Sequence, residues 1–227
     1  MKSSLVILTF NEIEGVKALF DKIPISQFDE CFAVDGGSKD GTIEFFKERG
    51  IKQVLQDKKG RGEAFQIAAK AAQGDLLVFF SPDGNERPED SVKLKEAIEQ
   101  GFDMAVASRF MKGAKSENSG ELFPVRNWGN KFFTFLVNLF FGGELTDAIN
   151  GFRAIRKDKF AQLKPDAPGF AIEYQMSMRA LKRGLKIKEI PTKEGQRIGG
   201  RSTAKTLPTG WKLLKMLFRE IKLGENF

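Results

Sequence analysis

The sequence predicts an α/β domain with a mostly parallel central sheet flanked by helices. Short apolar runs alternate with longer amphipathic stretches from residue 3 to residue 107. Strand-helix alternation of this kind implies right-handed crossovers between parallel strands, with helices covering both faces of the sheet. The chain has 227 residues, 41% of them hydrophobic, which is enough for one sizeable core.

The first half supplies most of the predicted elements. Short apolar runs bounded by turns predict strands at residues 3–9, 30–34, 52–55, 75–80 and 102–107. Apolar residues at helical spacing predict helices at 12–21, 41–49, 62–72 and 88–100. Ligands bind beyond the carboxyl ends of the strands in such sheets. The informative loops are therefore 10–12, 35–40, 81–85 and the segment from 108 onward.

The regular alternation stops after residue 107. A loop rich in Gly, Ser and Lys (111–120) precedes a very apolar helix (125–141) and a short strand (151–156). A helix (172–183), a strand (186–190), a basic Gly-rich loop (195–205) and a last helix (209–222) complete the chain. We find no internal repeat and no low-complexity linker.

Composition excludes several kinds of site. With no histidine and the single cysteine Cys31, the chain cannot form a Ser-His-Asp triad, a zinc site of Cys and His ligands, or a disulfide. We expect a reducing, cytoplasmic location. The apolar run at 132–141 has 10 residues, well below the roughly 20 needed to span a bilayer. The net charge of +7 leaves nucleic acid, anionic membranes and phosphorylated substrates open as partners.

Two loops at the predicted ligand edge carry chemistry. Residues 34–42 form a glycine-containing turn between a strand and a helix, which suits either a ligand's close approach to the backbone or a simple turn capped by Asp40. In residues 80–88, Asp83 and Asn85 stand two positions apart, directly after a buried strand. Two such oxygen ligands suit a hard cation such as Mg²⁺ or Mn²⁺, completed by substrate phosphates.

Further motifs follow in a fixed order along nearly the whole chain. They are LTFNE (8–12), VDGGSKDGT (34–42), KGRG (59–62), SPDGN (81–85), SRF (108–110), Arg126 with Asn130, TDAINGFR (146–153) and RIGGRS (197–202). Together they resemble the family 2 glycosyltransferases of the GT-A fold, most closely the polyprenyl-phosphate (dolichyl-phosphate) hexose or mannose synthases. The resemblance implies a metal-dependent, inverting transfer of a hexose from a GDP- or UDP-sugar to a polyprenyl or dolichyl phosphate.

The resemblance also assigns roles to individual residues. The donor-binding residues that it implies are Leu8, Thr9, Phe10, Asn11, Glu12, Asp35, Ser38, Arg61, Ser81 and Asp83. The residues that it implies for the acceptor phosphate are Arg109, Arg126, Asn130, Arg197, Ser202 and Lys205. Asp83 and Asn85 would hold the metal, and Asp83 and Asp147 would be catalytic. Asp147 is expected to act as a base or to orient the acceptor, or else only to cap or to pair with Arg153.

The sequence departs from the family pattern at two positions. The paired carboxylates that follow the second strand in the family are Asp35 and Gly36 here, so the motif does not explain how the base edge is recognised. The family's DxD motif begins with Ser81, so Asp83 is the strong metal ligand. We expect a weakened but working site, with a catalytically inactive homologue as the alternative.

The domain boundaries follow from these assignments. Residues 1–205 are expected to form a single GT-A catalytic domain, with a nucleotide-sugar-binding half at 1–107 and an acceptor half at 108–205. Residues 206–227 are expected to form a C-terminal amphipathic helix, with Trp211, Leu214, Leu217, Phe218 and Ile221 on one face and basic residues mostly on another. This pattern suits either an anionic bilayer or an ordinary docking helix.

The expected partners are a nucleotide-sugar donor and a lipid phosphate, with peripheral association at the cytoplasmic face of a membrane. A separate membrane-anchoring subunit is a further candidate. Alternatives are a soluble glycan or lipopolysaccharide-type hydroxyl acceptor, which needs a true base, and a non-catalytic basic binding module. We expect no nucleic-acid partner, because aromatic residues do not interleave with the basic loop at 195–205.

Overall fold

A computed structural model describes residues 1–116, 123–199 and 206–227. These residues form the strands β1 (Ser3–Thr9), β2 (Glu30–Asp35), β3 (Lys52–Leu55), β4 (Leu76–Phe80), β5 (Met104–Ser108), β6 (Lys115–Ser116), β7 (Arg153–Arg156), β8 (Ile187–Pro191) and β9 (Lys193–Glu194). Seven of them form one sheet in the order β3-β2-β1-β4-β7-β5-β8. All strands of this sheet run in the same direction except β7, which is antiparallel to its neighbours β4 and β5. The predicted mostly parallel sheet is confirmed.

Helices flank both faces of the sheet. They are α1 (Ile13–Leu19), α2 (Thr42–Glu48), α3 (Arg61–Ala71), α4 (Asp90–Glu99), α5 (Phe123–Phe141), α6 (Lys157–Leu163), α7 (Ala171–Lys182) and α8 (Thr206–Leu223). Two 3-10 turns, Phe20–Lys22 and Ile25–Gln27, connect α1 to β2. The core therefore has two layers, one on each side of the sheet.

The central strands are apolar on both faces because both faces are covered. In β1, Leu5 and Ile7 point into the layer that contains α1, α2 and α4. Val6 and Leu8 point into the other layer, with α3, α5, α7 and α8. Every residue of β1 is buried, which is why this strand is a continuous apolar run rather than an alternating one.

The structure adds features that the sequence pattern did not predict. Strand β7 lies antiparallel between β4 and β5, so the second half of the chain inserts into the sheet of the first. Helix α6 and the small two-stranded sheet of β6 and β9 were not predicted. Helix α6 has seven residues, and β6 and β9 have two each, so these elements are too short to show a clear periodic pattern.

Helix α8 packs against α5 and α7. Its inward residues Leu213, Met216 and Leu217 belong to the core. The predicted apolar face is thus divided: Leu217 is buried in the core, whereas Trp211, Phe218 and Ile221 are exposed. Among the residues that the structure describes, no helix has both the length and the apolar character that a membrane-spanning segment needs.

Candidate functional site

A cavity of about 670 Å³ opens where the carboxyl ends of the parallel strands meet. Phe10, Gly36, Gln56, Ser81 and Arg109 bring the ends of β1, β2, β3, β4 and β5 to its wall. Its far side is formed by the first turns of α5 and α8. One continuous space therefore joins the predicted donor loops to the predicted acceptor residues.

The predicted metal ligands lie in a tight turn after β4. The backbone N–H of Asn85 donates to Asp83 Oδ1 at 3.0 Å, and its side-chain amide donates to Asp83 Oδ2 at 3.3 Å. Between them, Gly84 has a φ of 93°, and a Cβ there would lie 2.5 Å from the carbonyl oxygen of Gln196. Only glycine fits that approach. The segment 195–199 thus lies directly on the turn of Asp83, Gly84 and Asn85, where Ile198 N donates to Asp83 O at 2.7 Å.

Arg197 joins this turn to the first donor loop. Its Nη1 donates to Asp83 Oδ2 at 2.7 Å, and its Nη2 forms an ion pair with Glu12. Burial raises the pKa of Glu12 to about 7, with Arg197 opposing the rise and Asp83 adding to it. Within the described residues, Glu12 Oε2 is buried without a hydrogen-bond partner. Arg197, predicted to contact the acceptor phosphate, therefore lies against the predicted metal ligand.

The serine at the start of the DxD position is held by an arginine. Arg61 Nη1 donates to Ser81 Oγ at 3.1 Å, while Arg61 also pairs with Glu173 of α7. The backbone N–H of Ser81 donates to Glu86 Oε2 at 2.6 Å. Burial raises the pKa of Glu86 to about 8, with Arg61 opposing the rise and Asp83 adding to it. This end of the cavity therefore combines several carboxyl groups with the guanidinium groups of Arg61 and Arg197.

The environment of Asp147 does not fit the prediction that it acts as a base. Its side chain is fully buried and does not line the cavity. Arg109 grips both oxygens, with Nε 2.7 Å from Oδ2 and Nη2 2.9 Å from Oδ1. The predicted partner Arg153 instead donates to the carbonyl oxygens of Asn150 and Glu173. Asp147 thus fixes the position of Arg109, which does line the cavity.

The predicted donor residues separate into two groups. Leu8, Thr9, Phe10, Glu12, Arg61, Ser81 and Asp83 line the cavity. Asp35, Ser38 and Asn11 stand behind its wall, where Asp35 Oδ2 accepts hydrogen bonds from Thr9 Oγ1 at 2.9 Å and Ser38 Oγ at 2.7 Å. Asn11 N donates to Ser38 Oγ at 2.7 Å. These three side chains shape the two donor loops instead of lining the cavity.

The predicted acceptor residues lie at the opposite end. Arg126, exposed in the first turn of α5, and Asn130, one turn later, both line the cavity. Ser202 and Lys205 lie outside the described residues. The structure thus places Arg109, Arg126, Asn130 and Arg197 on one cavity, with Arg197 at the turn of Asp83 and Asn85.

Sequence reasoning missed several polar residues that line the cavity, among them Gln56, Lys59, Glu86 and Glu173. Gln56 follows the end of β3, and the rule that identified the loops after β1, β2 and β4 would have found it. Glu86 adjoins the acidic turn, and Lys59 belongs to the quoted KGRG motif. Glu173 lies on α7, 112 positions from its partner Arg61, and no local pattern predicts that pair.

The sequence matches the model of a known protein family. Residues 4–164 match the model described as Glycosyl transferase family 2. The chain belongs to this family. The resemblance to polyprenyl-phosphate hexose synthases is also confirmed, because several similar curated proteins carry such names.

Three similar proteins illustrate how far the similarity extends. The chain is 30% identical to a dolichol-phosphate mannosyltransferase of Pyrococcus furiosus, covering 98% of this chain and 64% of that enzyme. It is 26% identical to glycosyltransferase AglJ of Haloferax volcanii, covering 86% and 63%. It is 29% identical to an undecaprenyl-phosphate mannosyltransferase of Micrococcus luteus, covering 84% and 82%. The chain thus spans slightly under two thirds of the first two proteins.

A solved structure shows the same fold. Glucosyl-3-phosphoglycerate synthase from Mycobacterium tuberculosis superposes with a TM-score of 0.76 at 21% identity, covering 97% of this chain and 80% of that one. The fold of this family 2 member is therefore the GT-A fold.

Proposed function

We propose that this family 2 glycosyltransferase moves a hexose, with inversion, from a GDP- or UDP-sugar to a polyprenyl or dolichyl phosphate at the cytoplasmic face of a membrane. One observation carries the proposal. A single cavity joins a carboxylate-rich end at Glu12, Asp83 and Glu86 to an end that presents Arg109 and Arg126. The lipid-phosphate acceptors in the names of its relatives support the same reaction.

The donor end fits a divalent cation such as Mg²⁺ or Mn²⁺. Asp83 offers a carboxylate, Asn85 an amide oxygen, and Glu12 a buried oxygen without a hydrogen-bond partner among the described residues. Such hard oxygen ligands suit these ions, which usually take further ligands from substrate phosphates and water. When bound, the cation would stabilise the charge on the departing diphosphate as a Lewis acid. No group of three or more acidic, Cys or His side chains in the described ranges could hold a cation by itself.

The acceptor end suits an anion. A lipid phosphate is already ionised at pH 7 and needs no strong base, which agrees with the engagement of Asp147 by Arg109. Arg109 is held by Asp147 through Nε and Nη2, and its Nη1 pairs with Glu194 at 3.6 Å, so only its remaining Nη1 and Nη2 protons can bind a phosphate oxygen. Arg126 and Asn130 add a second cation and an amide on the same wall.

The surface beside this end suits a lipid. Helices α5 and α8 expose eight large apolar side chains, called here the aromatic face: Trp128, Phe132, Phe135, Leu139, Phe140, Trp211, Phe218 and Ile221. Exposed Lys131, Lys212, Lys215 and Lys222 lie on the same helices. Apolar side chains flanked by lysines favour the surface of an anionic bilayer. The aromatic face would bring the cavity to the lipid, and a membrane-anchoring subunit is a candidate partner for it.

The test is a transfer assay with radiolabelled nucleotide sugars, offering polyprenyl phosphate in anionic liposomes against soluble glycans. We expect transfer to the lipid, loss of transfer with EDTA, and loss in Asp83→Ala. The control Asp158→Ala, on exposed α6, should retain activity. Transfer only to soluble hydroxyl acceptors would overturn the acceptor proposal, and undiminished activity of Asp83→Ala would overturn the metal assignment.

Membrane association has a separate test. The double variant Trp211→Ser and Phe218→Ser should sediment with anionic liposomes far less than the parent chain, while nucleotide binding persists. Each lysine near the surface contributes on the order of 1 kcal/mol and is screened by salt, whereas the apolar part is not. Binding by the parent chain should therefore weaken at high salt without vanishing. Equal sedimentation of variant and parent would show that the aromatic face does not bind the bilayer.

A further inference from the structure

We infer that the nucleobase of the donor is uracil, recognised at its N3–H by the side-chain oxygen of Gln56. The inference rests on the proposed function, because it takes the donor to be a nucleoside diphosphate sugar. It addresses the departure at Gly36, where the family motif would place a second carboxylate.

The ends of three strands bring Gln56 and Gly36 together. Gly36 N donates to Thr9 O at 3.0 Å, and Gln56 N donates to Asp35 O at 2.9 Å. The ladders of β1, β2 and β3 thus continue one residue beyond each paired end. Gly36, Gln56 and the neighbouring Phe10 all line the cavity. The backbone, and not a flexible loop, therefore sets where the side chain of Gln56 starts.

A second hydrogen bond sets the orientation of the amide. Gln56 Nε2 donates to the carbonyl oxygen of Gly60 at 3.1 Å. A carbonyl oxygen can only accept, so the nitrogen must face Gly60 and the oxygen must face away from it. Oε1 then lies on the side of Gly36, where a Cβ would be 3.1 Å from Oε1 and 3.0 Å from the Phe10 ring. Oε1 thus stands where a carboxylate at position 36 would project.

Gln56 Oε1 is a neutral hydrogen-bond acceptor, and the nucleobases differ in the donors that they can offer to it. Uracil presents one N–H at N3, which matches one oxygen. Guanine presents two adjacent donors, N1–H and the N2 amino group, and Oε1 can accept from only one of them at full strength, so the other loses this partner. Cytosine has a lone pair at N3, which would face Oε1 with two acceptors and no proton.

The neighbouring side chains suit the same base. Phe10 is 38% exposed and offers an aromatic surface beside Oε1. Lys59 Nζ lies 4.8 Å from the centre of the Phe10 ring. A cation in this position favours a base whose N–H is flanked by carbonyl oxygens, and uracil carries O2 and O4 on either side of N3.

The test is calorimetry on the full chain with Mn²⁺, using UDP, CDP, GDP and N3-methyl-UDP. We expect UDP to bind about tenfold or more tightly than each of the others. Gln56→Ala should lower the affinity for UDP about tenfold and bring it level with CDP. Gln53→Ala is the matched control, because this glutamine of β3 bonds to Ile43 O and does not line the cavity. Unchanged thermal unfolding of Gln56→Ala would establish that the fold is intact.

The outcomes separate a failure of the Gln56 assignment from a failure of the proposed function. CDP or N3-methyl-UDP binding as tightly as UDP would overturn the role of Gln56 while leaving the donor proposal in place. GDP binding most tightly would do the same. If none of the nucleotides bound in the presence of Mn²⁺, the proposed function itself would be wrong. Gln56→Glu gives a further check, since two carboxylate oxygens should raise the affinity for GDP relative to UDP.

Discussion

The donor half and the acceptor half of the molecule are held together differently. In residues 1–107 the polar groups of the site are fixed by short loops after neighbouring strands, as where Thr9 and Ser38 both donate to Asp35. In residues 108–227 long-range ion pairs are buried: Arg109 with Asp147, and Arg179 with Glu220. The difference shows why strand-end loops identified the first half of the site, whereas the second half depends on partners far apart in the sequence.

Glu220 is the centre of the acceptor-half network. It is fully buried and accepts hydrogen bonds from Arg179 at 2.9 Å, Lys182 at 3.0 Å and Gln175 at 2.8 Å. All three partners lie on α7, so these bonds hold α8 against the core. The donor half has no comparable buried cluster of charges away from the cavity among its described residues.

The largest expected effect is therefore the loss of this network. Glu220→Ala would leave the charge of Arg179 buried without its main partner, and breaking a buried pair costs about 3–5 kcal/mol. Glu89→Ala is the donor-half control, because its pair with Arg87 is exposed and worth under about 1 kcal/mol. Urea unfolding measures both. Similar small losses in the two variants would mean that the two halves do not differ in this way.

The second prediction concerns the pair of Arg109 and Asp147. If Asp147 orients Arg109, Asp147→Asn and Arg109→Lys should each raise the acceptor KM about 10- to 150-fold, equivalent to about 1.5–3 kcal/mol, with donor affinity unchanged. The double variant should be little worse than either single one, since both remove the same interaction. Steady-state kinetics with lipid phosphate checks this. A fall in kcat with unchanged KM in Asp147→Asn alone would restore Asp147 as a base.

The third prediction concerns competition for Asp83. Arg197 Nη1 lies 2.7 Å from Asp83 Oδ2, so a cation that binds through this oxygen must displace the guanidinium. Arg197→Ala should bind Mn²⁺ about tenfold more tightly in the absence of nucleotide, which is about 1.4 kcal/mol. Arg87→Ala removes an exposed cation from the loop after the same turn and should change little. Calorimetry showing weaker Mn²⁺ binding by Arg197→Ala would mean that Arg197 assists the site.

The donor half of the site could be predicted from the sequence more fully than the acceptor half. The sheet, the two donor loops and the position of Asp83 follow from alternation and strand ends, which are local properties of the sequence. The antiparallel direction of β7 could not be predicted, because a strand of four residues carries no signal for its direction or its neighbours. The contact of Arg197 with Asp83 joins residues 114 positions apart. The order of the motifs predicted that Arg197 and Asp83 belong to one site, but it did not predict which groups each side chain contacts.

The smallest expected effect tests whether the donor end is itself under electrostatic strain. Burial raises the pKa of Glu86 from 4.5 to about 8. Between these two values the folded chain retains a proton that the unfolded chain has lost, so stability should fall as the pH rises through this window. Glu86→Gln removes this dependence, and its amide oxygen can still accept the hydrogen bond that Ser81 N now gives to Glu86 Oε2. Because the side chain lines an open cavity, we expect a gain of only about 1 kcal/mol at pH 8, or a Tm rise of about 2–4 °C.

The gain should be smaller at pH 5, and Glu89→Gln, in an exposed pair, should show neither effect. A melting temperature for Glu86→Gln that stays below the parent value at both pH values would mean that the ionised carboxylate stabilises the turn, and that the donor end carries no such strain.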